Sequence, residues 1–244
     1  ESWYVVESDP GAGLYLGFRE GVCAADVRVA LDDGSDVSQL MHFVPVEPGD
    51  FFLIDAGTPH AIGPGVLLVE PQRVIGGSSG VTYRYWDWNR RYDAAGVTSQ
   101  QGKPRELHVN DAIAVTDWER VTESAFVDTI RRRAGLPNLA ADARLTVLAE
   151  YVPPSTDSDN ALESADLQVA RLAGTGACFL PAWTDVTGLT VLEGTVQLAT
   201  GEVIKRGETV ALPSGAADVA VKLAGAHALV MTARPTSQPR GDAR

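Results

Sequence analysis

Three polar residues have types and surroundings that suit chemistry: His60, Lys103 and Arg105. His60 follows a turn containing Gly57 and Pro59, so its ring can lie at the mouth of a β-barrel, where a neutral imidazole nitrogen binds divalent metals. The alternative is a structural histidine whose ring is satisfied by its neighbours. Lys103 and Arg105 lie in a polar loop and can bind a phosphate, Arg as a two-pronged donor and Lys as a point charge. An ordinary solvated turn explains this loop equally well.

The elements that must position these residues are mostly short β-strands separated by turns containing Gly or Pro. In the first half of the chain, the pattern predicts strands over 3–7, 14–18, 50–54, 66–69 and 81–86. Apolar residues spaced by three and four predict two short helices, over 24–31 and 37–43. The short strands within residues 44–88, separated by turns that contain Gly or Pro, indicate an antiparallel barrel or sandwich.

A partly helical connector separates this region from a second β-rich region. Residues 91–103 are polar and contain Gly, which predicts a loop, and residues 124–133 are compatible with a helix. Strands are then predicted over 147–152, 167–172, 188–192, 196–200, 209–212 and 226–232. The tail over 234–244 has two prolines and few apolar residues, so we expect it to be poorly ordered.

An internal repeat relates the two β-rich regions. Residues 49–60 (GDFFLIDAGTPH) align without a gap with residues 207–218 (GETVALPSGAAD). In both copies a Gly-acid pair leads into an apolar strand, which ends at a turn containing a second Gly. The first copy ends at His60 and the second at Asp218. The sequence therefore predicts two related β units, of which only the first carries a candidate metal ligand.

Composition argues against several functional classes. The chain has 20 Lys and Arg against 32 Asp and Glu, a net charge of -12, which argues against nucleic acid or an anionic membrane as the main partner. No apolar run approaches the about eighteen residues of a membrane span, and the N-terminus lacks a signal-peptide pattern, so we expect a cytoplasmic protein. Cys23 and Cys178 form no CxxC pair, so no cysteine-based zinc site is predicted.

Longer motifs give the chain a resemblance to one family. Gly49, Gly57 and His60 match the second cupin motif, although Asp55 stands where that motif usually has Pro. The chain also resembles bacterial type I mannose-6-phosphate isomerases, whose successive signatures it matches in order and approximate spacing. The matching segments are 1–5 (ESWYV), 14–18 (LYLGF), 56–63 (AGTPHAIG), 65–72 (GVLLVEPQ), 82–88 (TYRYWDW) and 102–108 (GKPRELH).

The resemblance implies a mainly β fold, a double cupin of two β-barrel or jelly-roll units, with a small helical insertion at about 24–43 and a partly helical connector. The expected domains are the C-terminal part of the catalytic cupin over 1–95, the connector over 96–144, a metal-free second cupin over 145–233 and a flexible tail over 234–244. The N-terminal part of the first cupin, with a Gln-x-His pair of metal ligands, has no counterpart in this sequence.

The resemblance also implies roles for single residues. Glu1 and His60 correspond to two of the ligands that bind one zinc or another divalent ion in the family; the alternative for Glu1 is a solvated terminal acid. Glu70 and Arg84 correspond to pocket residues, and an aldose–ketose conversion through an enediol needs a general base and a positive group near the developing oxyanion. The base assignment stays open, because residues 74–77 look like an insertion that alters the spacing. A surface acid and an arginine stacked on an aromatic ring are the alternatives.

The implied function is the metal-dependent interconversion of mannose 6-phosphate and fructose 6-phosphate. Two alternatives stay open: a non-catalytic sugar-binding or regulatory cupin with an incomplete metal site, and an isomerase of another sugar phosphate. The expected partner is a small sugar phosphate, and neither nucleic acid nor a membrane is expected. We expect the chain to be a monomer or to pair with a missing N-terminal segment.

Overall fold

The computed structural model describes residues 1–72, 82–151, 166–181, 186–213 and 219–234. The chain forms two compact units. The first unit comprises Ser2–Val69 and Gly76–Arg132, and the second comprises Glu1, Glu70–Ile75 and Arg133–Arg244. This division differs from the predicted connector over 96–144, because residues 96–132 belong to the first unit. The domain boundaries read from the sequence stay predictions.

Short strands form two sheets in the described part of the first unit. They are β1 (Ser2–Ser8), β2 (Gly13–Phe18), β3 (Met41–Pro45), β4 (Asp50–Leu53), β5 (His60–Ile62), β6 (Val66–Val69) and, at the boundary, β7 (Arg131–Arg133). One sheet has the order β6-β1-β4-β7 and the other the order β3-β2-β5. The pairs of β1 and β2 with their neighbours are antiparallel. Along β2, Leu14 and Leu16 are fully buried while Tyr15 is only partly buried, as expected for side chains that alternate between two faces.

The helices of the first unit are short. They are α1 (Ala24–Asp32), a 3₁₀ helix (Val37–Leu40), α2 (Val109–Val115), α3 (Trp118–Val121) and α4 (Phe126–Ile130). α1 begins at a capping box, in which the backbone N–H of Cys23 donates to the Asp26 carboxylate at 2.8 Å. Its inner face buries Val27 and Ala30 against the core.

Two helix predictions extend too far. The helix predicted over 37–43 is wrong for Met41–Phe43, which form the start of β3 and pair with β2. Spacing by three and four over so few residues does not distinguish a helix from a strand, and pairing across the sheet decides the outcome. The helix-compatible run over 124–133 is helical at Phe126–Ile130, and Arg131–Arg133 form β7 instead.

Large side chains fill the core of the first unit. Trp3, Phe51 and Phe52 are at most 2% exposed, and Phe18 stacks on Trp118 with their ring planes 5° apart. Burying a side chain of this size stabilises the fold by about 1.5–3 kcal/mol. The core therefore fixes β1 and β4, and the turn that follows β4 starts from a fixed strand.

The described residues of the second unit form one six-stranded antiparallel sheet. Its strands are β8 (Arg144–Tyr151), β9 (Asp166–Leu180), β10 (Thr187–Leu198), β11 (Val203–Lys205), β12 (Thr209–Leu212) and β13 (Val219–Arg234). The order is β11-β10-β13-β9-β8, and β12 also pairs with β10. The strands predicted over 188–192 and 196–200 are parts of β10, which continues through irregular pairing at Glu193.

The predicted mainly β, antiparallel architecture is confirmed. The strand predicted over 81–86 is wrong for residues 82–86, which have no regular structure. The Tyr85 hydroxyl donates to the Ala112 carbonyl of α2, and Trp86 donates to the Asn89 side chain, so this aromatic run bonds to a helix and a turn rather than to a strand.

Several predictions fall on residues that the structure does not describe. They concern the insertion over 74–77, Asp218 and the tail over 235–244, whereas Arg234 belongs to β13. In the described part of the chain, no helix has the length and apolar character needed to cross a membrane.

Candidate active site

Backbone hydrogen bonds and a close approach at Gly57 hold the turn between β4 and β5. The backbone N–H of Thr58 donates to the Asp55 carbonyl at 3.3 Å. Gly57 has a φ of +80°, and a Cβ at this position would lie 2.8 Å from the Val115 carbonyl oxygen, so only glycine fits. The backbone N–H of Asp117 donates to the Gly57 carbonyl at 3.1 Å. The turn is therefore bonded to the segment that joins α2 to α3.

His60 opens β5, and its side chain is exposed. Its Nδ1 lies 2.8 Å from the Thr58 carbonyl oxygen. Because a carbonyl oxygen only accepts hydrogen bonds, Nδ1 carries the proton, and Nε2 holds the lone pair of the neutral ring. The Trp3 ring is perpendicular to the imidazole, with the centroids 5.1 Å apart. Metal-binding histidines are commonly held in this way, with one nitrogen bonded to a carbonyl and the other directed at the ion.

Arg120, in α3, bonds to both ends of the same turn. Its Nη2 donates to the Thr58 hydroxyl at 2.9 Å, and its Nη1 lies 3.3 Å from the Asp55 carboxylate. Its Nε donates to the Asp117 carboxylate at 3.0 Å. The guanidinium also lies over the Phe126 ring. One side chain thus connects the turn that carries His60 to the first turn of α3.

The described residues do not form a complete metal site. No three or more His, Cys, Asp or Glu side chains among them are grouped so that they could bind one ion. Glu1 belongs to the second unit, where its Oε2 accepts a hydrogen bond from Gln72 at 2.9 Å. A catalytic zinc normally has three protein ligands. His60 therefore fits a ligand by its orientation, while the described part of the chain does not supply the whole ligand set.

Arg84 is half-buried, and its backbone is fixed by His108. The Arg84 N–H donates to Nδ1 of His108 at 3.2 Å, and the Arg84 carbonyl accepts from the His108 N–H at 2.8 Å. Within the described residues, the Arg84 guanidinium has no hydrogen-bond or ion-pair partner. Glu70 is exposed, directly after β6, and belongs to the second unit. The two predicted acids are thus in one unit, and His60 and Arg84 are in the other.

A cleft of about 190 Å³ in the first unit is lined by three arginines, Arg90, Arg91 and Arg105. Asp87, which is 7% exposed, also lines it and lies 2.7 Å from Arg90 and 3.4 Å from Arg105. The guanidinium of Arg105 lies over the Tyr92 ring, 4.7 Å from its centroid. Arg91 donates its Nε to the Gly102 carbonyl at 2.7 Å instead. The residues that line the cleft thus include three arginines and one acid, an excess of positive charge.

Lys103 is not among the described residues that line this cleft. Its backbone N–H and carbonyl exchange hydrogen bonds of 2.8 Å with those of Tyr92, and its side chain is exposed. The structure therefore brings Arg105, but not Lys103, into the arginine-lined cleft.

Sequence reasoning missed three arginines that the structure brings to these places. The Arg90-Arg91 pair, two residues after Trp88, is a basic doublet and could have been recognised as a candidate phosphate site. Arg120 gave no such signal, because its partners Thr58 and Asp55 lie 62 and 65 positions earlier in the sequence.

Burial shifts the pKa of three side chains outside the predicted site. Burial, and secondarily Arg171, lowers the pKa of His227 in the second unit to about 4. Burial, and secondarily Arg19, also lowers the pKa of His42. Burial raises the pKa of the Tyr85 hydroxyl. All three groups are therefore uncharged at neutral pH.

Comparison with known sequences gives relatives of one kind, although no family model matches the chain. Over 115 residues the chain is 37% identical to a mannose-6-phosphate isomerase of Streptococcus mutans, a match that covers 47% of this chain and 32% of that protein. Over 218 residues it is 28% identical to the mannose-6-phosphate isomerase ManA of Bacillus subtilis, covering 88% of this chain and 58% of the relative.

Solved structures of the same kind share the fold. The mannose 6-phosphate isomerase from Bacillus subtilis matches with a TM-score of 0.59 at 20% identity, over 95% of this chain and 63% of that one. The isomerase from Salmonella typhimurium, solved with fructose 6-phosphate and zinc, matches with a TM-score of 0.50 at 14% identity, over 94% and 66%. The chain thus spans less than two-thirds of the length of each of these relatives.

Proposed function

We propose, from the premise that this chain is homologous to the type I mannose-6-phosphate isomerases, that it takes part in interconverting mannose 6-phosphate and fructose 6-phosphate. The observation that carries the proposal is the orientation of His60. Its Nδ1 is bonded to the Thr58 carbonyl, at the sequence position that matches a metal ligand of the family.

The proposed cofactor is one zinc or another divalent ion per chain, with His60 and Glu1 among its ligands. When bound, such an ion polarises the oxygens of the sugar. The Thr58 carbonyl keeps the proton on Nδ1, so Nε2 is the atom of His60 that would bind the ion.

Arg84 is the residue that we propose to stabilise the negative charge on the sugar oxygen as the enediol forms. Its backbone is fixed from both sides by His108, and its guanidinium has no partner within the described residues. We propose Glu70 as the general base that moves the proton between C1 and C2. The support for Glu70 is the match of the surrounding sequence.

Lys103 and Arg105 are the residues that we propose to bind the substrate phosphate. The excess positive charge of the cleft that contains Arg90, Arg91 and Arg105 supports this role, since phosphate dianions bind best to several guanidinium groups. Lys103 is exposed and reaches solvent from the same loop.

A non-catalytic sugar-phosphate-binding protein is the second candidate. The observation that favours it is the lack, among the described residues, of a complete group of metal-ligating side chains. An isomerase of a different sugar phosphate is a variant of the first proposal. For each of these functions we propose a cytoplasmic location, no nucleic-acid or membrane partner, and a chain that acts as a monomer or with a separate segment.

The test is a coupled assay of mannose 6-phosphate isomerisation, with other sugar phosphates as parallel substrates, on a sample of verified intact mass. We expect turnover that a chelator abolishes and zinc restores. His60→Gln should abolish zinc-dependent turnover, and the matched control Asp218→Ala, at the equivalent position of the repeat, should keep it.

Each other outcome points to one alternative. Chelator-insensitive turnover, or unchanged zinc content in His60→Gln, would contradict the proposed metal site. Binding of mannose 6-phosphate by calorimetry without turnover would favour the sugar-binding protein. Faster turnover of another sugar phosphate would identify the true substrate.

A further inference from the structure

The hydrogen bonds around the turn that carries His60 assign a role to Arg120. We infer that Arg120 is a positioning residue: by bridging Asp55 and Thr58 it holds the Thr58 carbonyl where that carbonyl fixes the His60 imidazole. The inference rests on the proposed role of His60 as a metal ligand, and it adds a residue that neither the sequence motifs nor the proposed mechanism contains.

Thr58 forms hydrogen bonds in two directions. Its hydroxyl accepts a hydrogen bond from Arg120 at 2.9 Å, and its carbonyl accepts one from Nδ1 of His60 at 2.8 Å. Thr58 is 6% exposed, so water does not readily replace either partner. Arg120 therefore acts on His60 through one intervening residue.

Asp55 lies at the other end of the turn. The related motif usually has Pro at this position, and the ring of Pro restricts the backbone by fixing φ. Asp55 lacks that restriction, but its carboxylate lies 3.3 Å from Nη1 of Arg120. Where the motif has a Pro, this chain thus has an ion pair that ties Asp55 to α3.

Arg120 itself is held firmly. Its Nε bonds to Asp117, whose backbone N–H bonds to the Gly57 carbonyl, and its guanidinium packs on Phe126. All three nitrogens of the guanidinium are in use, a geometry that the single amine of lysine does not reproduce. Without Arg120, the Asp55 and Asp117 carboxylates would repel each other, and the turn would loosen.

The test measures the His60 tautomer and zinc affinity separately. Nitrogen-15 NMR of the metal-free protein at pH 8, above the ordinary pKa of an imidazole in water, reports which ring nitrogen carries the proton. The protein has four histidines, so the His60 signals are assigned by their loss in His60→Gln. Zinc affinity is measured by competition with a chromophoric chelator. The variants are Arg120→Gln, Arg120→Lys and Thr58→Val.

A matched control replaces another arginine of the same unit. Arg28, in α1, is exposed and donates to the side chain of Asn110 at 3.0 Å, without any bond to the His60 turn. Arg28→Gln removes the same charge and should change neither the tautomer nor the zinc affinity.

We expect the wild-type ring to be protonated at Nδ1, and the Arg120→Gln ring to be a mixture of both tautomers. Zinc affinity should fall about tenfold in Arg120→Gln, at the lower end of the range for residues that orient a ligand. Arg120→Lys should restore only part of the loss. Thr58→Val keeps the carbonyl but removes the hydroxyl acceptor, so it should show a smaller shift in the same direction.

The outcomes separate this inference from the proposed function. An unchanged tautomer and affinity in Arg120→Gln, with only a lower melting temperature, would show that Arg120 merely stabilises the fold. If Arg120→Gln does not fold, an unchanged His60 tautomer and an unchanged zinc affinity in Thr58→Val would overturn the inference. If His60→Gln binds zinc normally, the proposed metal site is wrong, while the tautomer measurement still decides what Arg120 does.

Discussion

The two copies of the internal repeat form the same turn in different surroundings. In the first copy the backbone N–H of Asp50 donates to the Glu47 carbonyl, three residues earlier, at 3.0 Å. In the second copy the backbone N–H of Glu208 donates to the Lys205 carbonyl at the same distance. The acid's carboxylate accepts from the N–H of that same earlier residue, at 2.9 Å for Asp50 and 2.7 Å for Glu208. The preceding glycines, which have φ values of 93° and 83°, permit this geometry.

The difference between the copies is burial. Asp50 is 5% exposed and forms an ion pair with Arg131, whereas Glu208 is exposed. The strand after Asp50 leads to the turn that Arg120 bridges and then to His60. Identical local bonding therefore does not imply identical surroundings: residues far away in the sequence decide which copy is buried and braced.

The largest expected effect comes from breaking the buried copy of the turn. Asp50→Ala removes one partner of a buried ion pair and leaves Arg131 uncompensated, so it should lower the free energy of unfolding by about 3–5 kcal/mol. Glu208→Ala, the matched change in the exposed copy, should cost about 1 kcal/mol or less. Urea unfolding monitored separately in each unit by hydrogen exchange measures both, and equal losses would refute the distinction.

The next effect is an acid sensitivity of the second unit. The unfolded chain protonates His227 below about pH 6.5, whereas the folded chain does so only near the lowered pKa of about 4. As the pH is lowered from 6.5 to 4, the free energy of unfolding should therefore fall, and this residue contributes up to about 1.4 kcal/mol per pH unit. His227→Gln should reduce that slope in hydrogen exchange of β13. Parallel pH profiles of the free energy of unfolding in the wild type and in His227→Gln would contradict this account.

The smallest effect concerns the glycine of the exposed turn. Gly207 has a φ of +83°, but a Cβ there would meet no atom within 4 Å, so Gly207→Ala should cost only the backbone strain of about 1 kcal/mol. Gly49 has a similar φ and is buried, so Gly49→Ala should cost more than Gly207→Ala. Thermal unfolding of both variants ranks them, and equal losses or the reverse order would contradict the expected effect of burial on this turn.

Sequence patterns predicted the strands best where packing agrees with local preference. The strands at Ser2–Ser8, Val66–Val69 and Thr209–Leu212 match their predictions closely, because apolar residues bounded by turn residues leave few alternatives. The predictions failed at Met41–Phe43, where pairing with β2 overrides a helical spacing, and at residues 82–86, whose aromatic side chains bond to a helix and a turn.

The candidate site divides in the same way. His60 and Arg84 were predicted from motifs, because their neighbours in the sequence carry a recognisable pattern. Arg120 could not be predicted, since its partners lie about sixty positions away and nothing near it in the sequence signals the contact. Short-range patterns thus identify candidate ligand-binding residues more readily than the residues that hold such candidates in place.

The central position of β13 in its sheet has a consequence for protein synthesis. β13 lies between β10 and β9, yet it is the last described strand to leave the ribosome. Until it emerges, the apolar strands β9 and β10 lack the neighbour that joins them, whereas the sheets of the first unit can already pair. A chain that stalls or is cut before Val219 would expose two long unpaired strand edges, and such edges promote aggregation.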